Sequence, residues 1–159
     1  MQKSDDIEIV AYGEQYQQVF RDLNLEWISS YFKMEAADYK VLDDPNGYII
    51  NNGGFIFVAL YQKQPLGVCA LIKKNNEYEY ELAKMAVSPK AQGKNLGTLL
   101  GQAVIEKAKM LGASSIYLES NTALKPAISL YRKLGFVEID GHNSAYERCN
   151  IQMELRLVK

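Results

Sequence analysis

Apolar residues run along this chain in two periods, and the switches between them predict its elements. Ile7–Ala11 alternates as an edge strand does. Over residues 14–32, Val19, Phe20, Leu23, Trp27 and Tyr31 recur at helical intervals, which predicts one helix or two in succession. Asp43-Asp44-Pro45-Asn46-Gly47 carries turn chemistry. The period then changes. Phe55–Tyr61 reads as a buried strand, Gln62–Pro65 as a turn and Leu66–Lys73 as a second strand. Asn75-Asn76 suits a tight hairpin turn, and Tyr78–Val87 completes an antiparallel meander.

After Ser88-Pro89 the helical period returns: Leu96, Leu99, Leu100, Ala103, Val104, Ala108 and Leu111, with Gly112 placed as a C-terminal cap. Ser115–Glu119 reads as a short buried strand. Leu124–Leu134 reads as a helix with Pro126 in its first turn and Gly135 past its end. Phe136–Ile139 and Ile151–Leu157 are two further strands. Strands in a run, then strand–helix–strand–helix–strand–strand, predict an α/β (α+β mixed) fold with helices on the faces of a mixed sheet. With no repeat, linker or low-complexity tract, residues 1–159 are expected to form one domain.

Composition narrows the chemistry. Lys+Arg 18 against Asp+Glu 19 gives a net charge of −1, which argues against a sequence-blind grip on nucleic acid. One histidine, His142, and two distant cysteines, Cys69 and Cys149, exclude a zinc ribbon, an iron–sulfur cluster or a multi-histidine metal site. Reduced thiols, an N-terminus without an apolar signal core and no apolar run longer than Phe55–Tyr61 lead to the expectation of a cytoplasmic protein that does not enter a membrane.

Charge is nevertheless unevenly distributed. Residues 82–105 contain no acid, where composition leads one to expect roughly three, and they hold Lys84, Lys90 and Lys94. Within that window, Val87–Leu100 reads as strand end, glycine-containing loop and helix start. A helix start presents unpaired N–H groups and a positive dipole end, and most chains put a carboxylate there. This one is left for an anion from outside, or else is an ordinary helix start with chance charge sampling. The spacing Gly93–Gly97 fits neither a P-loop nor a dinucleotide fingerprint, so the residues alone say only phosphate or pyrophosphate.

Two motifs carry a resemblance. Gln92-Gly93-Lys94-Asn95-Leu96-Gly97 resembles the Arg/Gln-x-x-Gly-x-Gly/Ala pyrophosphate loop of the GNAT-type N-acetyltransferase superfamily, with Asn95 where that family usually has glycine. Asn tolerates left-handed backbone better than most residues. Ala127 and Leu130-Tyr131-Arg132-Lys133-Leu134-Gly135-Phe136 resemble the family's second signature. The resemblance implies a central, mostly antiparallel mixed sheet of six to seven strands flanked by about four helices. It also implies acetyl-CoA as co-substrate, with no metal, and transfer of the acetyl group to a primary amine of a small molecule or peptide.

Site roles follow from the same resemblance. The diphosphate falls to the backbone of Gln92, Gly93, Lys94, Asn95, Leu96, Gly97 and Thr98. The pantetheine arm falls to the strand edge at Met85, Ala86 and Val87, and Asn121 to the arm or its carbonyl, although an ordinary Asn turn explains Asn121 equally well. Tyr131 matches the general acid toward the departing thiolate, since a phenol near 10 keeps the proton that a thiol near 8.5 needs. Glu81 matches a general base, while Glu77, Glu79 and Glu81 together also read as a solvated strand face. His142 reads as a surface residue of a polar loop. Glu26, Glu35, Asp38, Asp43 and Asp44, interleaved with Trp27, Tyr31, Phe32 and Tyr39, suggest an acidic, aromatic acceptor wall suited to a cationic amine; amphipathic helices with solvated acids are the plainer reading. A non-catalytic CoA-binding or partner-binding module of the same fold is the alternative, and a homodimer is compatible with either.

Overall fold

The computed structural model describes residues 6–75, 78–140 and 144–157, so Asn76, Glu77 and His142 lie outside the described residues. Strand β1 (Ile7–Ala11) leads through a 3-10 turn (Glu14–Tyr16) into helix α1 (Gln17–Tyr31) and then α2 (Ala36–Asp43). A single π turn (Asn46–Ile50) precedes β2 (Phe55–Tyr61), β3 (Gln64–Lys73) and β4 (Tyr80–Val87). Helix α3 (Leu96–Met110), β5 (Ser115–Ser120), α4 (Lys125–Leu134), β6 (Val137–Ile139) and β7 (Ile151–Arg156) follow. The seven strands form one mixed sheet in the order β1-β2-β3-β4-β5-β7-β6. Every neighbouring pair is antiparallel except β4 and β5.

Helices cover both faces, which is why the central strands read as near-continuous apolar runs. Along β3, Val68 and Ala70 pack with Phe20, Leu42, Ile49, Ile56 and Val58 beneath α1 and α2. Cys69 and Leu71 point the other way, into the layer with Leu96, Leu100, Val104, Phe136 and Met153 beneath α3 and α4. That is the two-residue alternation of a strand with both faces buried.

The turn expected over Gln62–Pro65 is shorter. Gln62 and Lys63, at φ 50° and 71°, make a two-residue hairpin turn, and pairing resumes at Tyr61–Gln64 and Leu60–Pro65. Pro65 is tolerated there because the ladder is already irregular between Ala59 and Leu60.

Two features shape the sheet centre. Strand β4 carries a bulge: Val68 pairs Ala86 and Ala70 pairs Ala83, so Lys84 and Met85 together oppose Cys69, and Lys84 takes φ 55°. Strands β4 and β5 pair only at Tyr80–Ile116 and Glu81–Tyr117, then diverge. The result is a split at the carboxyl ends of two parallel strands, facing the loop that opens α3. Open α/β sheets place ligands in just such crevices.

Candidate active site

The loop at the mouth of the split is built for close approach. Gly93 takes φ 80°, and a Cβ placed there would meet nothing within 4 Å. Asn95 sits at φ 69°, ψ 22°, the left-handed conformation its side chain tolerates, and caps α3 without a side-chain hydrogen bond of its own. The first bond within α3 runs from Leu99 N to Asn95 O at 3.2 Å, so the amides of Leu96, Gly97 and Thr98 have no carbonyl four residues back to pair with. No acid stands in the first turn. The Lys94 ammonium lies 5.2 Å from the Tyr61 ring centre, beside the loop. Packing explains the glycines that follow: a Cβ on Gly97 would meet Leu130 Cδ2 at 3.2 Å, and one on Gly101 would meet Leu134 Cδ1 at 2.6 Å. Both leave room for α4.

Along the split, Ser88 N–H donates to Leu66 O at 2.8 Å. Successive amides on a strand point to opposite edges, so the Val87 N–H faces the open side. Below it lies a cavity of about 390 Å³ that holds Glu81, Met85, Glu119, Asn121 and Tyr131 in its lining. Two candidates separated by 50 positions, Glu81 on β4 and Tyr131 on α4, thus share one chamber.

Their environments differ. Glu81 is largely buried, with Lys74 Nζ at 3.2 Å from its carboxylate. Burial pushes its carboxyl above the usual 4.5, the charge of Glu119 adds to that, and Lys74 opposes it. Tyr131 packs edge-on against Phe136, ring centres 6.2 Å apart, and burial holds its hydroxyl above the ordinary 10. Asn121 is committed locally: its amide donates to Arg148 O at 2.7 Å and accepts from Ala123 N at 2.8 Å, which organises the turn into α4.

Glu119 is a second carboxylate in the chamber that the sequence pattern did not single out. It accepts hydrogen bonds from the hydroxyls of Tyr117, at 2.7 Å, and Ser144. A carboxylate near the end of an otherwise apolar strand, SIYLES, was the available signal.

The acidic wall expected from segment 26–44 is not what lines the cavity. From that segment the lining takes Trp27, Ile28, Phe32, Ala37, Lys40 and Val41, and none of the acids. Asp38 is fully buried and receives Arg148 Nη1 at 2.8 Å, Arg148 Nη2 at 2.6 Å and Lys84 Nζ at 2.8 Å. Burial raises its carboxyl, but those bonds outweigh burial and hold it down to about 2. Glu35 meets Arg148 at 3.4 Å and accepts from Glu147 N at 3.0 Å. Asp43 pairs with Arg21 at 2.7 Å, and Asp44 caps Gly47 N at 3.0 Å. These acids hold the framework, and Asp38 in particular fastens α2 to the β4 bulge and to the loop before β7.

A split mixed sheet, an acid-free helix start at its mouth and a chamber holding a carboxylate and a partly buried phenol thus stand together at one end of the sheet. The Acetyltransferase (GNAT) family model matches residues 16–136, and the chain belongs to that family. An N-acetylaspartate synthetase of Danio rerio is 32% identical over 89 residues, covering 56% of this chain and 32% of that protein. An uncharacterised N-acetyltransferase of Escherichia coli K12 is 43% identical over 60 residues, covering 38% of this chain and 36% of that one. The chain thus spans about a third of the length of these curated relatives. Its fold matches a GNAT-family acetyltransferase from Staphylococcus aureus Mu50 at TM-score 0.84 and 23% identity, over 96% of this chain and 99% of that one. It also matches a Bacillus subtilis acetyltransferase solved in complex with CoA, at TM-score 0.72 and 23% identity, over 96% of this chain and 99% of that one. No described helix is long and apolar enough to cross a membrane, and the described residues contain no cluster of three potential metal ligands.

Proposed function

We propose that this protein is an N-acetyltransferase that moves the acetyl group of acetyl-CoA to a primary amine by direct attack within a ternary complex. The observation that carries the reading is the shared chamber: Glu81 and Tyr131 line one cavity at the open edge of β4. Acetyl-CoA would supply the activated thioester, and its diphosphate suits the unpaired amides of Leu96, Gly97 and Thr98 with the Lys94 ammonium alongside, while Gln92 N–H and Lys94 N–H close the loop onto Pro89 O and Ala91 O. The open edge at Met85–Val87 can pair with the amide-bearing pantetheine arm as an added strand would, with Asn121 at the far wall. A Val87 N–H facing the split is positioned to donate to the carbonyl oxygen as charge develops.

An amine of lysine-like basicity, near 10.4, must lose a proton before attack. Glu81 is the base for that step, its carboxylate made more basic by burial. Tyr131 is the acid. A phenol raised above 10 is protonated at neutral pH and so holds a proton for the departing thiolate. Because the thiol lies lower, near 8.5, the transfer itself is uphill; it is driven by collapse of the tetrahedral adduct to the amide, and leaves a tyrosinate that is reprotonated from solvent.

Calorimetry with acetyl-CoA and with ADP tests the ligand, and free-thiol release across an amine panel tests the reaction. We expect acetyl-CoA to bind well ahead of ADP. Tyr131→Phe should bind acetyl-CoA normally while kcat falls by about 10²-fold or more. Unchanged turnover in that variant across pH removes Tyr131 from the acid role.

A further inference from the structure

The chamber's charge and lining also bear on the acceptor, provided the transferase reading above holds. On the side of α1 and α2 its wall is Trp27, Ile28, Phe32, Val41 and Tyr48, and Tyr146 faces them from the loop before β7. Four aromatic rings and two branched aliphatic side chains form a surface that an apolar group can occupy. The charged lining residues are Lys40, Lys74, Lys84 and Arg148 with Glu81 and Glu119. Lys84 and Arg148 are matched by Asp38 and Glu35 behind the wall, which leaves Lys40 and Lys74 against Glu81 and Glu119 and no surplus of negative charge. The acids of segment 26–44 add no free negative charge to the chamber. Asp38 is fully buried and already satisfied by Arg148 and Lys84, and Glu35 is turned to Arg148. The carboxylates within reach of a positive charge are Glu119 and Glu81, the latter already sharing Lys74 at 3.2 Å, and both stand at the proposed reacting end.

We propose that the acceptor is a monoamine on an aromatic or branched apolar body, and that polycationic amines are excluded. One ammonium can be met at Glu81 and Glu119. A second or third, several carbons further along the acceptor, would lie among rings and cations with no carboxylate to receive it. Burying an unpaired charge is costly, whereas an aryl group gains area and ring contacts in the same place.

The chain contains one tryptophan, and Trp27 is in this wall. Its fluorescence therefore reports acceptor binding without turnover. With the protein held in saturating CoA, 2-phenylethylamine should give a saturable change, and spermidine should need at least about tenfold higher concentration. Tyr48 is 45% exposed, so Tyr48→Ala should fold normally; it should weaken 2-phenylethylamine about three- to tenfold and leave spermidine unmoved. In the thiol-release assay 2-phenylethylamine should show the higher kcat/KM by the same margin. Tighter binding of spermidine, or no fluorescence response to either amine, overturns the proposal. A saturable phenylethylamine response without thiol release from acetyl-CoA upholds this acceptor preference and overturns the transferase reading instead.

Discussion

Replacing Asp38 by Asn should be among the most damaging single changes outside the reacting groups. Asp38 is fully buried, and it holds Arg148 through two bonds and Lys84 through a third, with the side chains of those partners 18% and 6% exposed. An amide keeps the shape but removes the charge, leaving a buried ammonium beside a guanidinium whose remaining partner is Glu35 at 3.4 Å. Breaking a buried pair in this way costs about 3–5 kcal/mol. The retained hydrogen bonding of Asn places the expected loss near the lower end, about 3 kcal/mol at pH 7. For a chain of this length that corresponds to roughly 6–12 °C in Tm. The pH dependence makes the test specific. The native carboxyl is held at about 2 against an ordinary 3.8, so the charge contributes fully above pH 4 and is lost as pH falls through 2. This part amounts to about 2 kcal/mol, of which about 1 kcal/mol has gone by pH 3. Asn does not titrate. The gap between wild type and Asp38→Asn in urea unfolding should therefore narrow by about 1 kcal/mol between pH 6 and pH 3. A gap below about 1 kcal/mol at pH 7, or one that stays flat or widens toward pH 3, refutes the reasoning.

The remaining predictions concern the chamber and its loop. If Glu81 is the base, the acid limb of kcat/KM falls above pH 4.5, because burial raises its carboxyl. Lys74→Met, which removes the cation at 3.2 Å, should move that limb up in pH, and Glu119→Gln should move it down. Shifts of the opposite sign, or a limb that persists in Glu81→Gln, would assign the titration elsewhere. Asn95→Val forces a β-branched residue to φ 69° and should cost about 1–2 kcal/mol while weakening acetyl-CoA in calorimetry. Asn95→Gly should keep or tighten that affinity. Gly101→Val drives a side chain into Leu134, where even a Cβ lies 2.6 Å from Cδ1, and should lower the urea midpoint by an amount equivalent to about 2 kcal/mol.

What the sequence revealed was local. Phe55–Tyr61 emerges as a strand with the predicted bounds because an uninterrupted apolar run ended by turn residues leaves little choice. The stop at Gly135, φ 107°, was legible because a glycine just past a helical run implies it, and Asn95, φ 69°, takes the left-handed conformation its residue type tolerates. Residues whose meaning depends on distant partners were misread or missed. Asp38 looked like one more acid on an amphipathic helix, since its partner Arg148 lies 110 positions away. Glu119 looked like the end of a buried strand, because nothing local says that β5 parts from β4 after Tyr117. Charge can be counted from a sequence; its neutralisation cannot, because pairing is set by which loops the fold brings together.

The bulge in β4 shows how much turns on one such non-local detail. Leu82 and Ala86 are four residues apart and would share a face of a regular strand. Instead Leu82 packs beneath α3 and Ala86 beneath α1. The extra residue at Lys84–Met85 reverses the parity, as a one-residue slip must. Glu81 accordingly lies on the acceptor face ahead of the bulge, and Met85 and Val87 pack on the α3 side beyond it. A single strand thereby serves both halves of the proposed reaction. The conformation that permits this is a positive φ at a lysine, which costs on the order of 1–2 kcal/mol and persists only where its surroundings hold it. The ammonium of that lysine is bonded to Asp38 at 2.8 Å and to the Tyr146 hydroxyl at 3.1 Å. The buried charges behind the acceptor wall are thus also the fastening of the bulge, and loosening them should disturb acceptor binding and arm binding together.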